Sequence, residues 1–235
     1  MDGRYWAWLG VRLLIGAVLV GWAFSFLNPG GGSGEKEFQR TLEALQKVQT
    51  VRVAQTADQV PTQHSEMLWE ISCGQDAYHY KWHIVDTSSD SRPQIDRDEI
   101  HVGNVEYEHL SDDTWSKGRY AGSAPTPRSI CTRMNQGADA GVMPAIATMI
   151  RRGILQKGDK KTVSGVRCRE WLVTLKGPTG LEHDTVCLGL DDHLPYEATV
   201  DWQHLRNVYS DYNSPLQLAL PESAVQPASA TTSSN

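Results

Sequence analysis

The chain has 235 residues, of which 40% are hydrophobic and 21% are charged, and its formal net charge at pH 7 is −6. These values are typical of one folded domain with appendages, and the lack of a basic run after the N-terminus argues against a nucleic-acid partner. The four cysteines form an even set, which favours disulfides and an oxidising compartment.

An apolar segment at residues 5–27 opens the chain, and a Gly/Ser linker follows it at residues 28–34. The first interpretation is an uncleaved transmembrane helix that anchors the protein, with Arg12 on the cytoplasmic side. The second is a secretory signal peptide with Ala23-Phe24-Ser25 as its cleavage site. Both interpretations place the rest of the chain in the periplasm, either anchored in the inner membrane or secreted. The linker is typical of a tether and favours the anchor.

The first element after the linker is predicted to be an amphipathic helix at residues 35–50. Phe38, Leu42 and Leu45 recur on one helical face, while charged side chains occupy the others. Such a helix can lie across a sheet, and residues 51–56 are predicted to form the first strand.

Two alternating segments, at residues 66–73 and 77–85, predict a hairpin. The large side chains are odd-numbered in the first strand and even-numbered in the second, so they share a face only if the loop has an even number of residues. A two-residue turn at Gly74-Gln75 satisfies this condition, and so does a four-residue loop at residues 74–77. Either loop produces an aromatic wall of four rings: Trp69, Tyr78, Tyr80 and Trp82. The wall is interpreted either as ordinary core or as the lining of a cavity for an apolar ligand.

The middle of the chain is predicted to alternate strands with loops. The elements are a polar loop (86–98), two hairpin strands (99–102 and 105–110), a further strand (114–119) and a loop (120–135). Gly103-Asn104 is a typical hairpin turn. Cys131, in the last loop, would pair with Cys73 by elimination, although four cysteines allow three pairings.

A second helix is predicted at residues 141–153, with Pro144 in its first turn and Gly153 at its end. Its apolar side carries Val142, Ile146, Met149 and Ile150. This helix is interpreted either as permanently packed on the sheet or as a lid. A charged turn at residues 156–161 follows it.

A cysteine-bearing hairpin is predicted from residues 165–175 and 184–188, with a turn at residues 177–180. Folding there places Cys168 opposite Cys187, to within about a residue, which is close enough for a disulfide. We expect these cysteines on the outer face of the sheet. An apolar set is expected on the inner face: Trp171, Val173, Leu175, Val186 and Leu188. The alternative is a pair of reduced, buried cysteines.

Two further alternating runs predict the last strands of the sheet. The first run carries Tyr196, Ala198, Val200 and Trp202, and the second carries Leu216, Leu218 and Leu220. Together with the preceding hairpins, these runs indicate an antiparallel meander.

No catalytic motif or metal site is predicted. The sequence contains no G-x-S-x-G, H-E-x-x-H, C-x-x-C or phosphate-binding glycine loop. His79 and His83 project with Lys81 from one side of a strand, opposite the aromatic wall, and we expect them on a solvated face. We therefore predict that the protein is not an enzyme and needs no cofactor.

Three motifs resemble the LolA-like superfamily of periplasmic lipoprotein carriers and mycobacterial LppX/LprG-type lipid-binding lipoproteins. They lie at residues 162–171, 188–195 and 209–215. The resemblance implies an α+β fold: an antiparallel half-open β-barrel, made of a meander sheet, with helices packed in the concave face. It covers residues 35–221 as one domain, followed by a tail at residues 222–235 that is predicted to be disordered. In contrast to the lipoproteins, no lipobox cysteine precedes Cys73.

The predicted function is that of a membrane-tethered extracytoplasmic domain that binds a lipid or the acyl chain of an acylated protein. The predicted ligand-binding residues line an apolar cavity between sheet and helices: Met67, Trp69, Tyr80, Trp82, Val142, Ile146 and Ile150. The alternative is a cell-envelope sensor or interaction module that has a filled core, binds no ligand and contacts a protein partner of the envelope.

Overall fold

Within the residues that it describes, the computed structural model has an α+β fold of three helices and one large sheet. The structure describes residues 31–60, 63–86, 95–110, 114–119, 125–176, 180–201, 204–221 and 224–225. The helices are α1 (Gly31–Leu45), α2 (Pro127–Asn135) and α3 (Ile146–Arg152). The strands are β1 (Thr50–Val60), β2 (Gln63–Ser72), β3 (Ala77–Asp86), β4 (Ile95–Val102), β5 (Val105–His109), β6 (Trp115–Arg119), β7 (Ile154–Val163), β8 (Val166–Lys176), β9 (Leu181–Gly189), β10 (Pro195–Val200), β11 (Leu205–Ser210) and β12 (Ala224–Val225).

The sheet consists of two meanders that meet in its middle. Its strand order is β12-β6-β5-β4-β3-β2-β1-β11-β10-β9-β8-β7. The neighbours from β6 to β7 in this order are antiparallel, and the short β12 is parallel to β6. The predicted antiparallel meander is confirmed. The pairing of β1 with β11 joins the first strand to the last strand of the second meander.

The two faces of the sheet follow from the strand register. One row of paired residues crosses eight strands on the same face: Trp171, Val186, Ala198, Asn207, Gln55, Met67, Trp82 and Arg97. We call this face the inner face and the opposite one the outer face. The helices pack on the inner face, where the ring of Phe38 on α1 meets Trp171 edge-on at 5.9 Å between centroids.

The aromatic hairpin has the predicted parity. Asp76 donates its backbone N–H to the carbonyl of Cys73 at 3.2 Å, which closes the two-residue turn at Gly74-Gln75. Trp69 pairs with Tyr80 in the resulting register. The second predicted turn, at Gly103-Asn104, is also confirmed, because Val102 pairs with Val105 on either side of it.

Both disulfides are formed, which is typical of proteins that fold in an oxidising compartment. Cys73 is bonded to Cys131, with 5.7 Å between the Cα atoms, and Cys168 to Cys187, with 5.5 Å. The second bond is diagonal, because Cys168 faces Gly189 across the ladder and Cys187 faces Glu170.

Cys168 and Cys187 lie on the outer face, as predicted. They are nevertheless buried, with 0% and 1% of their surface exposed. The reason lies in the neighbouring strands. Lys161 pairs with Cys168 and Glu197 pairs with Cys187, and the two charged side chains form an ion pair with each other. This ion pair spans β8 and β9 and covers the disulfide.

Several predicted boundaries and elements were wrong. The first helix runs from Gly31 to Leu45 instead of covering residues 35–50. The predicted loop at residues 120–135 contains α2, which begins after Thr126; the Thr126 hydroxyl accepts the N–H of Ser129 at 3.3 Å, and Pro127 suits the first turn. The second predicted helix is shorter, since α3 begins only at Ile146.

The ends of the sheet also differ from the prediction. The charged segment at residues 156–161 is part of strand β7, and residues 95–98 of the predicted polar loop belong to β4. Leu216, Leu218 and Leu220, which were predicted to form the last strand, lie in a segment without regular secondary structure, and the strand that pairs with β1 is β11.

Some predictions fall outside the described residues. Among them are the apolar segment at residues 5–27, Trp202, residues 87–94 and most of the C-terminal tail, of which Ala224 and Val225 form β12. Within the part that the structure describes, no helix combines the length and the apolar composition that a membrane span requires.

Candidate functional site

The predicted aromatic wall is present on the inner face. The rings of Trp69 and Tyr80 are 4.2 Å apart between centroids, Trp69 and Tyr78 are 5.5 Å apart, and Tyr80 and Trp82 are 6.5 Å apart. The alternation of strands β2 and β3 places all four rings on one side. The wall therefore forms a continuous aromatic surface across the two strands.

Five of the seven predicted ligand-binding residues meet around the core that the helices share with the sheet. Trp69, Tyr80 and Ile150 pack against this core, and Val142 and Ile146 are part of it, with 2% and 0% of their surface exposed. Met67 and Trp82 lie one row further along the inner face. They contribute to a different groove, of about 610 Å³, most of whose lining residues belong to the outer face, among them Ala54, Lys81, Asp96 and Asp98.

A cavity of about 360 Å³ lies between the chain segment around α3 and the inner face of β8 to β11. Its apolar lining comes from Met143, Pro144, Met149, Leu175, Ala198, Val200 and Leu205, and its polar lining includes Asp139, Asp184 and Asn207. The sequence predicts these strands as part of the sheet but does not predict this cavity. The one local signal was the small Ala198 in an inward position between Tyr196 and Val200.

Several buried polar atoms on the inner face have no hydrogen-bond partner among the described residues. They are the indole nitrogens of Trp69, Trp82 and Trp171, Oδ1 of Asp184, Oδ1 of Asn207 and the hydroxyl of Tyr209. Buried polar groups normally have a protein or water partner, and leaving one without a partner is unfavourable. Of these residues, Asp184 and Asn207 line the 360 Å³ cavity, where a water molecule or a ligand can donate to their free oxygen atoms.

Burial has a strong effect on two titratable groups of the inner face. Burial raises the pKa of Asp184 to about 6, and the nearby charge of Glu182 adds to this effect. Burial also raises the pKa of Tyr80 to about 12, with a further contribution from Glu99. Asp184 can therefore change its charge near neutral pH, whereas Tyr80 stays protonated.

A histidine and two glutamates meet near the far end of the inner face. Nε2 of His101 lies 3.3 Å from Oε2 of Glu99 and 3.9 Å from Oε1 of Glu106. These side-chain types can bind a divalent cation. However, Oε1 of Glu99 is already 3.3 Å from Nη1 of Arg97, and the hydrogen bond from His101 lowers the pKa of Glu99. Arg97 and the hydrogen bond from His101 thus already stabilise the ionised form of Glu99.

The outer face of the same strands is charged, in agreement with the prediction for His79 and His83. His79 lies between Glu70, at 3.0 Å, and Asp98, at 2.6 Å, and His83 contacts Asp96. Each histidine thus has a carboxylate neighbour on the face opposite the aromatic wall.

Comparisons with known proteins relate the chain by fold and not by sequence. No family model and no curated protein matches its sequence. Among solved structures, LprF from Mycobacterium bovis has a TM-score of 0.58 and 10% identity, over 80% of this chain and 96% of LprF. The Pseudomonas aeruginosa MucA/MucB complex has a TM-score of 0.40 and 10% identity, over 77% of this chain and 57% of the compared chain. MucB alone has a TM-score of 0.43 and 11% identity, over 81% of this chain and 62% of MucB.

The likeness to LprF concerns the fold alone, because the identity is low. The chain shares its fold with LprF, which is consistent with the LolA-like fold that the sequence motifs predicted. The weaker similarity to MucB adds no argument about function.

Proposed function

We propose that the domain binds a lipid, or the acyl chain of an acylated protein, in the cavity between α3 and the inner face. The observation that supports this proposal is the 360 Å³ cavity, with its lining of methionine, leucine, valine and proline side chains. Ligand sites of this kind are concave, mostly apolar and about 300–1,000 Å³ in volume.

An acyl chain is the ligand that this lining would bind best. Burying apolar surface contributes about 25 cal/mol per Å², so an alkyl chain needs few polar contacts. Met143 and Met149 form one side of the cavity, and the flexible methionine side chain adapts to irregular partners. The protein would then act by binding, without a catalytic step.

The wider setting is part of the proposal. We infer that the sheet curves around the helices as a half-open barrel and that the N-terminal apolar segment tethers the domain to the inner membrane. The aromatic wall would extend the apolar surface from the cavity, so that Trp69 and Tyr80 lie beside a bound chain.

The second candidate is an envelope interaction module that binds a protein and no lipid. The burial of Val142 and Ile146 favours it, because these two predicted ligand residues are already surrounded by core side chains. A lipid-binding assay separates the two functions.

The experiment combines extraction with a matched pair of substitutions. An organic extract of the purified full chain is analysed by mass spectrometry, and binding of a neutral fluorescent lipid is titrated. Ala198→Trp fills the floor of the cavity on β10 and is expected to abolish binding. Ala54→Trp makes the same change on the outer face of β1, beside the 610 Å³ groove, and is expected to leave binding intact.

Circular dichroism establishes that both variants are folded, and Val200→Phe serves as a milder obstruction if Ala198→Trp does not fold. Loss of binding in Ala54→Trp alone would move the site to the outer groove. A clean extract and no titratable binding would refute the lipid proposal and leave the interaction module.

A further inference from the structure

We propose that the cavity selects an uncharged or cationic amphiphile whose head carries a hydrogen-bond donor, and that Asp184 or Asn207, on opposite sides of the cavity floor, accepts this donor. The inference rests on the proposed function and specifies the ligand class for the same cavity. It predicts a preference for amides, alcohols or amines over esters and over free carboxylates of the same chain length.

Asp184 and Asn207 are placed for this role by the sheet register. Asp184 on β9 pairs with Val200, and Asn207 on β11 pairs with Ala198, so the two polar residues flank the inner side of β10. They are two strands apart and offset by two residues along the strands, so their Cα atoms are about 12 Å apart. The side chains between them are the small Ala198 and the apolar Val200, which form the cavity floor.

Both side chains are buried and offer an acceptor without a donor. Asp184 is 6% and Asn207 5% exposed, and Oδ1 of each has no hydrogen-bond partner among the described residues. The backbone N–H of Asp201 interacts with the Asp184 carboxyl group. The Tyr209 hydroxyl interacts with Asn207 but does not reach hydrogen-bond geometry. One acceptor atom on each side chain is thus left for a ligand.

The charge of the lining sets the class of head group. Asp139 and Asp184 are its ionisable members, and the described lining residues include no lysine or arginine. A carboxylate or phosphate head would therefore meet acidic groups without a counter-ion. An ester offers acceptors only, so it leaves both Oδ1 atoms unpaired, whereas a site built to bind a donor rejects analogues that lack one.

The experiment measures competition by three ligands that share one alkyl chain: decanamide, methyl decanoate and decanoate. The full-length protein at neutral pH is expected to bind decanamide about tenfold more tightly than methyl decanoate, the effect of one well-placed hydrogen bond, and to bind decanoate most weakly. One of the two variants Asn207→Leu and Asp184→Leu is expected to remove most of the preference for the amide and to leave binding of the ester unchanged, and that variant identifies the acceptor.

Thr185→Val is the matched control. Thr185 lies on the outer face of β9 next to Asp184, its hydroxyl bonds to that of Thr199 at 2.6 Å, and it does not line the cavity, so this variant should keep the full preference. Equal binding of amide and ester by the unaltered protein would overturn the donor inference and leave the lipid proposal standing. Failure of all three ligands to bind would overturn both. A preference that survives in Asn207→Leu and Asp184→Leu would also overturn the inference, because the donor would then bind elsewhere.

Discussion

Cys131, in the middle of α2, is bonded to Cys73 at the tip of the β2–β3 hairpin, 58 residues away in the sequence. The same tip is also held by the residue that precedes β1, because the N–H of Cys73 donates to the carbonyl of Gln49 at 2.8 Å. The disulfide therefore fixes α2 to the end of the hairpin that carries the aromatic wall. Cys168 and Cys187 are separated by only 19 residues and join strands that already share a ladder.

This difference predicts unequal losses of stability. Replacing Cys73 and Cys131 by alanine should lower the free energy of unfolding by roughly 4 kcal/mol, because the open chain regains the entropy of a long loop, against roughly 3 kcal/mol for Cys168 and Cys187. Guanidinium denaturation of the two double-alanine proteins measures the difference. A larger loss in the second protein would show that packing around the buried sulfurs, and not loop entropy, dominates.

Two glycines of α1 should respond in opposite ways to the same substitution. A Cβ on Gly34 would lie 2.9 Å from Cβ of Leu155 and 3.1 Å from Cζ3 of Trp171, whereas a Cβ on Gly32 would meet nothing within 4 Å. Gly32→Ala should stabilise the protein by about 0.5–1 kcal/mol through helix propensity. Gly34→Ala should destabilise it by about 1–3 kcal/mol, because α1 must move away from the sheet. Thermal unfolding of both variants is the measurement, and equal shifts would contradict the close contact of α1 with β7 and β8.

Side-chain alternation was sufficient to predict much of the sheet. The parity of Trp69 and Tyr80 required an even loop, and the structure has one at Gly74-Gln75. Alternation does not predict the strands in which its pattern is weak. Strand β7 is rich in lysine, as suits a strand at the edge of a sheet, and its composition predicts a charged turn instead. The Thr126-Pro127 signal for α2 is present, but the two prolines of the segment led to the prediction of a loop.

The last strand and the cavity show the limits of local reasoning. The segment with Leu216, Leu218 and Leu220 has the better alternating pattern but is not a strand. Strand β11 pairs with β1 instead, although it carries the polar Asn207 on the inner face. The cavity depends on the distance between residues near α3 and strands up to about 60 residues later, which no local pattern encodes. Val142 and Ile146 were correctly placed near the sheet, whereas Asp184 and Asn207 were not identified as site residues.

The ion pair above the Cys168–Cys187 disulfide predicts a pH-dependent effect. Although burial raises the pKa of Glu197, hydrogen bonds from Lys161 and Arg206 hold it below its ordinary value. Lys161→Met should lower the free energy of unfolding by about 1 kcal/mol at neutral pH, a modest loss because Lys161 is partly exposed and Arg206 remains bonded at 2.7 Å.

A depressed carboxyl pKa stabilises the fold above the pKa of the unfolded chain, about 4.3, and this contribution is lost as the pH falls through the folded value. The difference between Lys161→Met and the unaltered protein should therefore shrink in acid. Lys160→Met, one position away on the same edge strand, is the control and should show little effect at any pH. A loss that is constant from neutral to acidic pH would contradict the electrostatic role of Lys161.

Asp184 should show the opposite pH dependence, because its pKa is raised. Its folded value is about 6, whereas an unperturbed aspartate titrates near 3.9. Between these values the folded protein holds a proton that the unfolded chain has released, so stability is highest in acid and falls as the pH rises. In the variant Asp184→Asn the side chain cannot ionise, so its free energy of unfolding does not fall in this way as the pH rises.

The variant should therefore equal the unaltered protein near pH 4 and exceed it above pH 7 by about 2–3 kcal/mol in the free energy of unfolding, since one pKa unit corresponds to about 1.4 kcal/mol. Urea denaturation at a series of pH values measures the difference. Glu182→Gln is the companion variant, because the charge of Glu182 contributes to the raised pKa, and it should move the midpoint of the effect to lower pH. A gap between Asp184→Asn and the unaltered protein that does not depend on pH would mean that Asp184 stays ionised, and that the carboxylate already has a partner inside the cavity.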